Sequence, residues 1–138
     1  MRFIDANIFL YAYLTPRRSL KEEEQRLKQA AKEIIQRLDE GESMATTTVH
    51  LSEVVNVIEK SMGLSHSISF IKRVLTVDSI DVYPVKMDDY QEAVPIAEGL
   101  VVGLNDALAY RMMKHHGITQ VYSMDRHFDK FSGIERLP

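Results

Sequence analysis

Apolar positions follow two alternating periods along this chain. Short apolar runs of strand length are separated by longer stretches in which apolar residues return every three or four positions. The first run, Phe3-Ile4, meets Asp5 and passes directly into Ala6-Asn7-Ile8-Phe9-Leu10-Tyr11. This predicts a strand, an acid at its carboxyl end, and a helix from about Asn7 to Tyr13 that Thr15-Pro16 closes. From about Ser19 to Glu40 the pattern is strongly helical, with Leu27, Ala31, Ile34, Ile35 and Leu38 on one face. Glu22–Arg26, Glu24–Lys28 and Glu33–Arg37 are spaced as i,i+4 pairs, and Gly41 is the expected stop.

A second strand is predicted over Ser43 to Thr46. Thr47 or Thr48 then caps a helix whose apolar face carries Leu51, Val54, Val55 and Ile58. Gly63 breaks the pattern before a helix from about Ser65 to Leu75, and Ile80 to Val85 reads as a strand that Pro84 places at an edge or an end. Asp88 with Gln91, or Asp89 with Glu92, suggests a capping box for the next helix, which Pro95 should kink or restart. Asn105 is the expected N-cap of a helix from Asp106 to His116, stopped by Gly117. Ile118 to Ser123 reads as a strand, Asp125 to Phe131 as a short helix or loop, and Gly133 to Leu137 as a last edge strand. Short strands alternating with helices define an α/β fold with a parallel sheet.

Composition narrows the chemistry. The 138 residues suit one domain spanning 1–138, and the 45% hydrophobic share supports an ordinary core. There is no cysteine, so any metal would take oxygen or imidazole ligands. A net charge of -3 is not the footprint of bulk attraction to nucleic acid. No apolar run nears the roughly 20 residues of a membrane helix, and Asp5 comes too early for a signal peptide. The expectation is a soluble, cytoplasmic protein with no membrane partner.

Asp5 and Asp125 each follow a strand. With parallel strands they share the carboxyl edge of the sheet, where ligands sit in open α/β folds. Glu53 lies about one turn inside a helix that opens at the same edge. Asp106 is at a helix start that does not directly follow a strand. Four carboxylates in one pocket would resist ionisation without a cation. Mg²⁺ or Mn²⁺ takes such oxygen ligands and serves phosphodiester chemistry. Taken singly, Asp106 and Asp125 read first as helix caps or dipole partners, and Glu53 has a second reading as a first-turn acid facing the dipole. Asp5, flanked by apolar residues, demands a partner.

The chain resembles the PIN-domain ribonucleases, of the kind found as VapC-type toxins of toxin–antitoxin pairs. Four segments carry the resemblance: Phe3-Ile4-Asp5-Ala6-Asn7, Leu51-Ser52-Glu53-Val54, Leu104-Asn105-Asp106-Ala107-Leu108-Ala109, and Tyr122-Ser123-Met124-Asp125-Arg126-His127-Phe128. It implies a Rossmann-like PIN fold with a central, mostly parallel sheet of four to five strands flanked by helices. It also implies a pocket of Asp5, Glu53, Asp106 and Asp125 that binds Mg²⁺ or Mn²⁺ and cuts RNA, with Asn7 supporting Asp5 and Ser123 helping to hold the site. A homodimer and a small antitoxin partner follow from the same resemblance. The long charged helix at 19–40 exceeds the compact toxin pattern and is expected to be a solvated structural helix.

Asp129, four residues after Asp125, is expected in a surface or supporting role, and His115, His116 and His127 at the surface. Arg17, Arg18 and Lys21 read as a solvated helix start, and at least one of Tyr11 and Tyr13 as packed. Two alternatives remain within the same fold: an RNA-processing nuclease that is not a toxin, and a non-catalytic module that binds RNA or protein. A phosphatase of the haloacid dehalogenase type ranks below both, because it needs a second Asp where Asn7 stands.

Overall fold

The computed structural model describes residues 1–138. Five strands form one sheet: β1 (Arg2–Ile4), β2 (Met44–Thr47), β3 (Ile80–Tyr83), β4 (Gln120–Tyr122) and β5 (Glu135–Leu137). Their order is β3-β2-β1-β4-β5, and every pairing is parallel. The chain winds outward from β1 through β2 to β3, then returns to the other side of β1 for β4 and β5. The crevice between β1 and β4 is therefore the topological switch point, where α/β sheets bind ligands.

Alternation along the strands feeds two cores. Ile4 and Met44 point into a cluster with Ile8, Phe9, Ile34, Val54, Ile58 and Phe70. That side is covered by α1 (Ala6–Tyr13), α2 (Glu22–Asp39), α3 (Thr48–Met62) and α4 (Leu64–Thr76). Phe3, Ala45 and Val121 point the other way, onto Ala109, Met113, Phe128 and Phe131. There the cover is α5 (Met87–Leu100), α6 (Leu104–His115) and a 3-10 turn at Arg126–Lys130. No helix is long and apolar enough to cross a membrane.

The charged helix α2 is a packing element, with Ala31, Ile34, Ile35 and Leu38 buried. It starts at Glu22, later than the pattern predicts, because Glu24 turns back to accept the Lys21 amide at 3.3 Å and fixes the start there. Two of the spaced charges find other partners: Glu24 pairs with Arg18, and Lys28 donates to the Tyr11 and Leu14 carbonyls that end α1. Gly63, at φ 98°, closes α3 and opens α4, a left-handed turn that favours glycine.

Two boundaries differ from expectation. Helix α5 runs unbroken through Pro95. An exposed proline costs it one hydrogen bond, while Ala93 stays buried and Arg111 of α6 pairs with Asp89 and Glu92. Its start is capped by the Asp89 carboxylate, which accepts the Lys86 amide at 2.8 Å. Helix α6 begins at Leu104, with Gly103 as N-cap in place of Asn105. The Gly103 carbonyl accepts the first helical bond, from Ala107 at 3.0 Å, so Asn105 lies within the first turn and Asp106 at its third residue.

Candidate functional site

Asp5 leaves β1 at the switch point. Its amide donates to the Tyr122 carbonyl of β4 at 3.0 Å, so the ladder bond that pairs these strands also fixes the acid's backbone. The residue is 6% exposed. Oδ1 accepts the Ala6 amide at 2.8 Å and Oδ2 accepts the Ser123 hydroxyl at 2.7 Å. Burial pushes this carboxyl up to about 7. The nearby charges of Asp106 and Glu53 push the same way, against the two hydrogen bonds.

Ser123 is the hub beneath the acid. Its oxygen donates to Asp5 and accepts from the Asp125 amide at 3.0 Å and the Asn7 side-chain amide at 3.2 Å. Asn7 Oδ1 accepts the Met124 amide at 3.2 Å. Asn7 thus supports Asp5 through Ser123 and clamps α1 to the segment after β4. Arg136 of β5 donates to the Ser123 carbonyl at 3.3 Å and is held by Asp129 at 3.1 Å. Asp129 therefore braces the strand edge from outside the acid cluster.

Asp106 reaches the same place from the first turn of α6. Burial pushes its carboxyl up to about 6, and the Asp125 charge adds to this, while His127 opposes it. Asp125 ends the strand segment and caps the 3-10 turn, accepting the His127 amide at 2.9 Å. The His127 ring Nδ1 is 3.4 Å from Asp125 Oδ1 and 3.7 Å from Asp106 Oδ2. Asp106, Asp125 and His127 each offer a ligand atom within 4.8 Å of the others. Glu53, exposed on α3, is near enough for its charge to act on Asp5.

The structure therefore brings Asp5, Asp106, Asp125 and Glu53 to one edge, with Asn7 and Ser123 beneath them. Two residues carry more than the pattern assigns them: His127, expected only at the surface, and His50, which it does not name. His127 belongs to the cluster, and its signal was its place two residues after Asp125. His50, 1% exposed, lies behind Asp5, with Nε2 at 3.9 Å from Oδ1. Other candidates lie elsewhere. Tyr13 packs edge-on against Phe70, His116 stacks on Tyr83, and Arg17 donates to the Ser61 carbonyl.

This arrangement fits a hard divalent cation. The donors are carboxylate oxygens, and burial together with neighbouring carboxylate charge raises Asp5 to about 7 and Asp106 to about 6, so ionising them carries a cost that a cation relieves.

Comparison with known proteins agrees with the fold and the family resemblance. The PIN domain family matches residues 2–134, and the chain belongs to that family. Ribonuclease VapC13 of Mycobacterium tuberculosis is 28% identical over 141 residues, spanning 99% of each chain. Among solved structures, a toxin–antitoxin complex from Klebsiella pneumoniae superposes with a TM-score of 0.68 at 15% identity, covering 98% of this chain and 96% of that one. VapC20 of M. tuberculosis, described as a sarcin-ricin loop cleaving toxin, gives 0.66 at 18% identity, covering 91% and 90%. The five-stranded parallel sheet between two helical layers is the fold these chains share.

Proposed function

We propose that this protein is an endoribonuclease that hydrolyses RNA phosphodiester bonds with Mg²⁺ or Mn²⁺, acting as the toxin of a VapBC-type pair. The observation that carries the reading is the convergence of Asp5, Asp106, Asp125 and Glu53 at the β1–β4 switch point, with Asp5 and Asp106 pushed up in pKa. Whole-length similarity to a VapC ribonuclease supports the choice of RNA.

Asp5, Asp106, Asp125 and Glu53 are the residues that would hold the cation. When bound, the cation supplies a Lewis acid for the phosphodiester and lowers the pKa of water. The protein's own part is positioning. Ser123 fixes the Asp5 carboxylate at Oδ2, and Asn7 fixes Ser123. Asp129 and Arg136 keep the Ser123 backbone in place from β5. His127, 52% exposed at the side chain, stands at the solvent rim of the cluster, where the phosphate backbone of an RNA would pass. Similarity to a toxin–antitoxin complex supports a small antitoxin as the partner that holds the protein inactive, and the protein itself pairs as a homodimer.

The test is cleavage of a pool of structured RNAs. With Mn²⁺ the wild-type protein should cut, and chelation should stop it. Asp5→Asn should lower the rate on the order of 100-fold or more, the loss of several kcal/mol of charge stabilisation. Equal cleavage by wild-type and Asp5→Asn protein would assign the activity to a contaminant and end the proposal.

A further inference from the structure

His50 sits three residues into α3, and its ring is enclosed. Phe3 packs edge-on against it at 5.2 Å between centroids, and the residue is 1% exposed. Nδ1 is 2.7 Å from Thr47 Oγ1, and the same oxygen accepts the His50 amide at 3.2 Å. Thr47 is itself fully buried, and His50 Nδ1 is the one acceptor within reach of its hydroxyl proton. The hydroxyl therefore donates to Nδ1, and the ring proton must lie on Nε2. That Nε2 is buried and makes no hydrogen bond of full geometry, the Asn105 backbone giving it only a weak acceptor. It faces Asp5 Oδ1 at 3.9 Å and the Asn105 backbone at the start of α6. A buried donor left open costs about 1–3 kcal/mol, and one so weakly paired keeps part of that cost, which a second acceptor would recover.

We propose that His50 is a positioning residue for Asp5: its Nε2–H, set in that tautomer by Thr47, closes onto the Oδ1 edge when a cation occupies the cluster, and so aims the remaining carboxylate lone pairs at the pocket shared with Asp106. Oδ1 already holds the Ala6 amide and Oδ2 the Ser123 hydroxyl, so this third donor completes the frame around the carboxylate. It also ties Asp5 to the helix that carries Asp106, across two elements far apart in sequence. The inference rests on the cation-dependent reading of the cluster. Metal-ligating groups commonly depend on such outer hydrogen bonds for about 10–100-fold in affinity.

The experiment combines imidazole ¹⁵N NMR with Mn²⁺ calorimetry. In the wild-type protein His50 should show a protonated Nε2 and a bare Nδ1. His50→Leu fills the space without the donor and should weaken Mn²⁺ binding about 10–100-fold, lowering kcat with little change in KM. His50→Gln places an amide N–H near the Nε2 position and should recover binding to within about threefold. A residue that only fills the core would lower Tm in the Leu variant and leave the affinity of the folded protein unchanged. If His50→Leu does not fold, Thr47→Val removes the hydroxyl that sets the tautomer and should weaken Mn²⁺ in the same sense. A proton on Nδ1, or a folded Leu or Val variant binding Mn²⁺ as tightly as wild type, overturns the positioning role alone. Wild-type protein that binds no Mn²⁺ overturns the cation reading together with it.

Discussion

At the scale of single residues, Asp5 carries two opposed demands. The fold buries it at 6% exposure beside other acids, and the proposed chemistry needs it ionised. Function and stability should therefore separate at this position. Asp5→Asn keeps the shape and removes the buried charge, so in metal-free protein at pH 7.5 it should raise Tm. The same variant should lose most of the Tm gain expected from Mn²⁺ in the wild type. A metal-free Tm that falls on substitution would mean that the charge itself, through Ser123 and Ala6, holds the β1–α1 junction together. Ser123→Ala tests the hub from the other side. It leaves the Asp125 amide and the Asn7 side chain without their shared acceptor and should destabilise by about 1–3 kcal/mol, measured by urea unfolding. Asp5 and its strand were legible at once, because an acid between two apolar runs has no bland reading. The route by which Asn7 acts was not, because Ser123 is 116 residues away and no pattern specifies which of two polar residues touches the acid.

At the scale of elements, periodicity served best where one face is buried and the other solvated. Helices α2 and α3 follow their predicted apolar faces, since Ile34, Leu38, Val54 and Ile58 all enter the larger core. It served least at the α5–α6 turn. There Pro95 and Asn105 are local signals of a break and a cap, and tertiary contacts override both. Arg111 ties α5 to α6, Lys130 donates to the Leu100 and Val101 carbonyls at 3.3 Å, and Gly103 starts the helix. The turn is bought with strain: Val101 closes α5 at φ 55°, a left-handed conformation unfavourable for a β-branched residue. It is 76% exposed, so its side chain offsets little of that cost. Val101→Asn should therefore stabilise the protein by about 1 kcal/mol, seen as a higher urea midpoint at unchanged m-value. Cleavage should stay near the wild-type rate, because Asp106 keeps its place in the first turn of α6. A lower midpoint would show that Val101 makes an apolar contact worth more than the strain.

At the scale of the whole molecule, the parallel sheet gathers acids from four distant segments at one edge, and their protonation couples folding to pH. Asp5 at about 7 and Asp106 at about 6 both lie above the ordinary carboxylate range of about 4. The folded, metal-free chain therefore holds these protons more tightly than the unfolded chain. Their contribution to stability is fully present below the unfolded value and is lost as pH rises through 6 to 7. A divalent cation held by these acids would reverse the balance, since it would bind the ionised forms and have to displace protons at low pH. Mg²⁺ or Mn²⁺ should consequently stabilise strongly at pH 7.5 and weakly at pH 5. At a hundredfold excess over Kd the gain is about 2.7 kcal/mol, a Tm rise of roughly 8 °C for a chain of this length. Scanning calorimetry at the two pH values, with and without cation, measures the difference directly. An equal rise at both would place the cation at carboxylates of ordinary pKa, away from Asp5 and Asp106. Because the coupling runs through two named acids, Asp5→Asn should flatten the metal-free pH dependence between 5 and 7.5, while Asp129→Asn, outside the cluster, should leave it as steep as in the wild type.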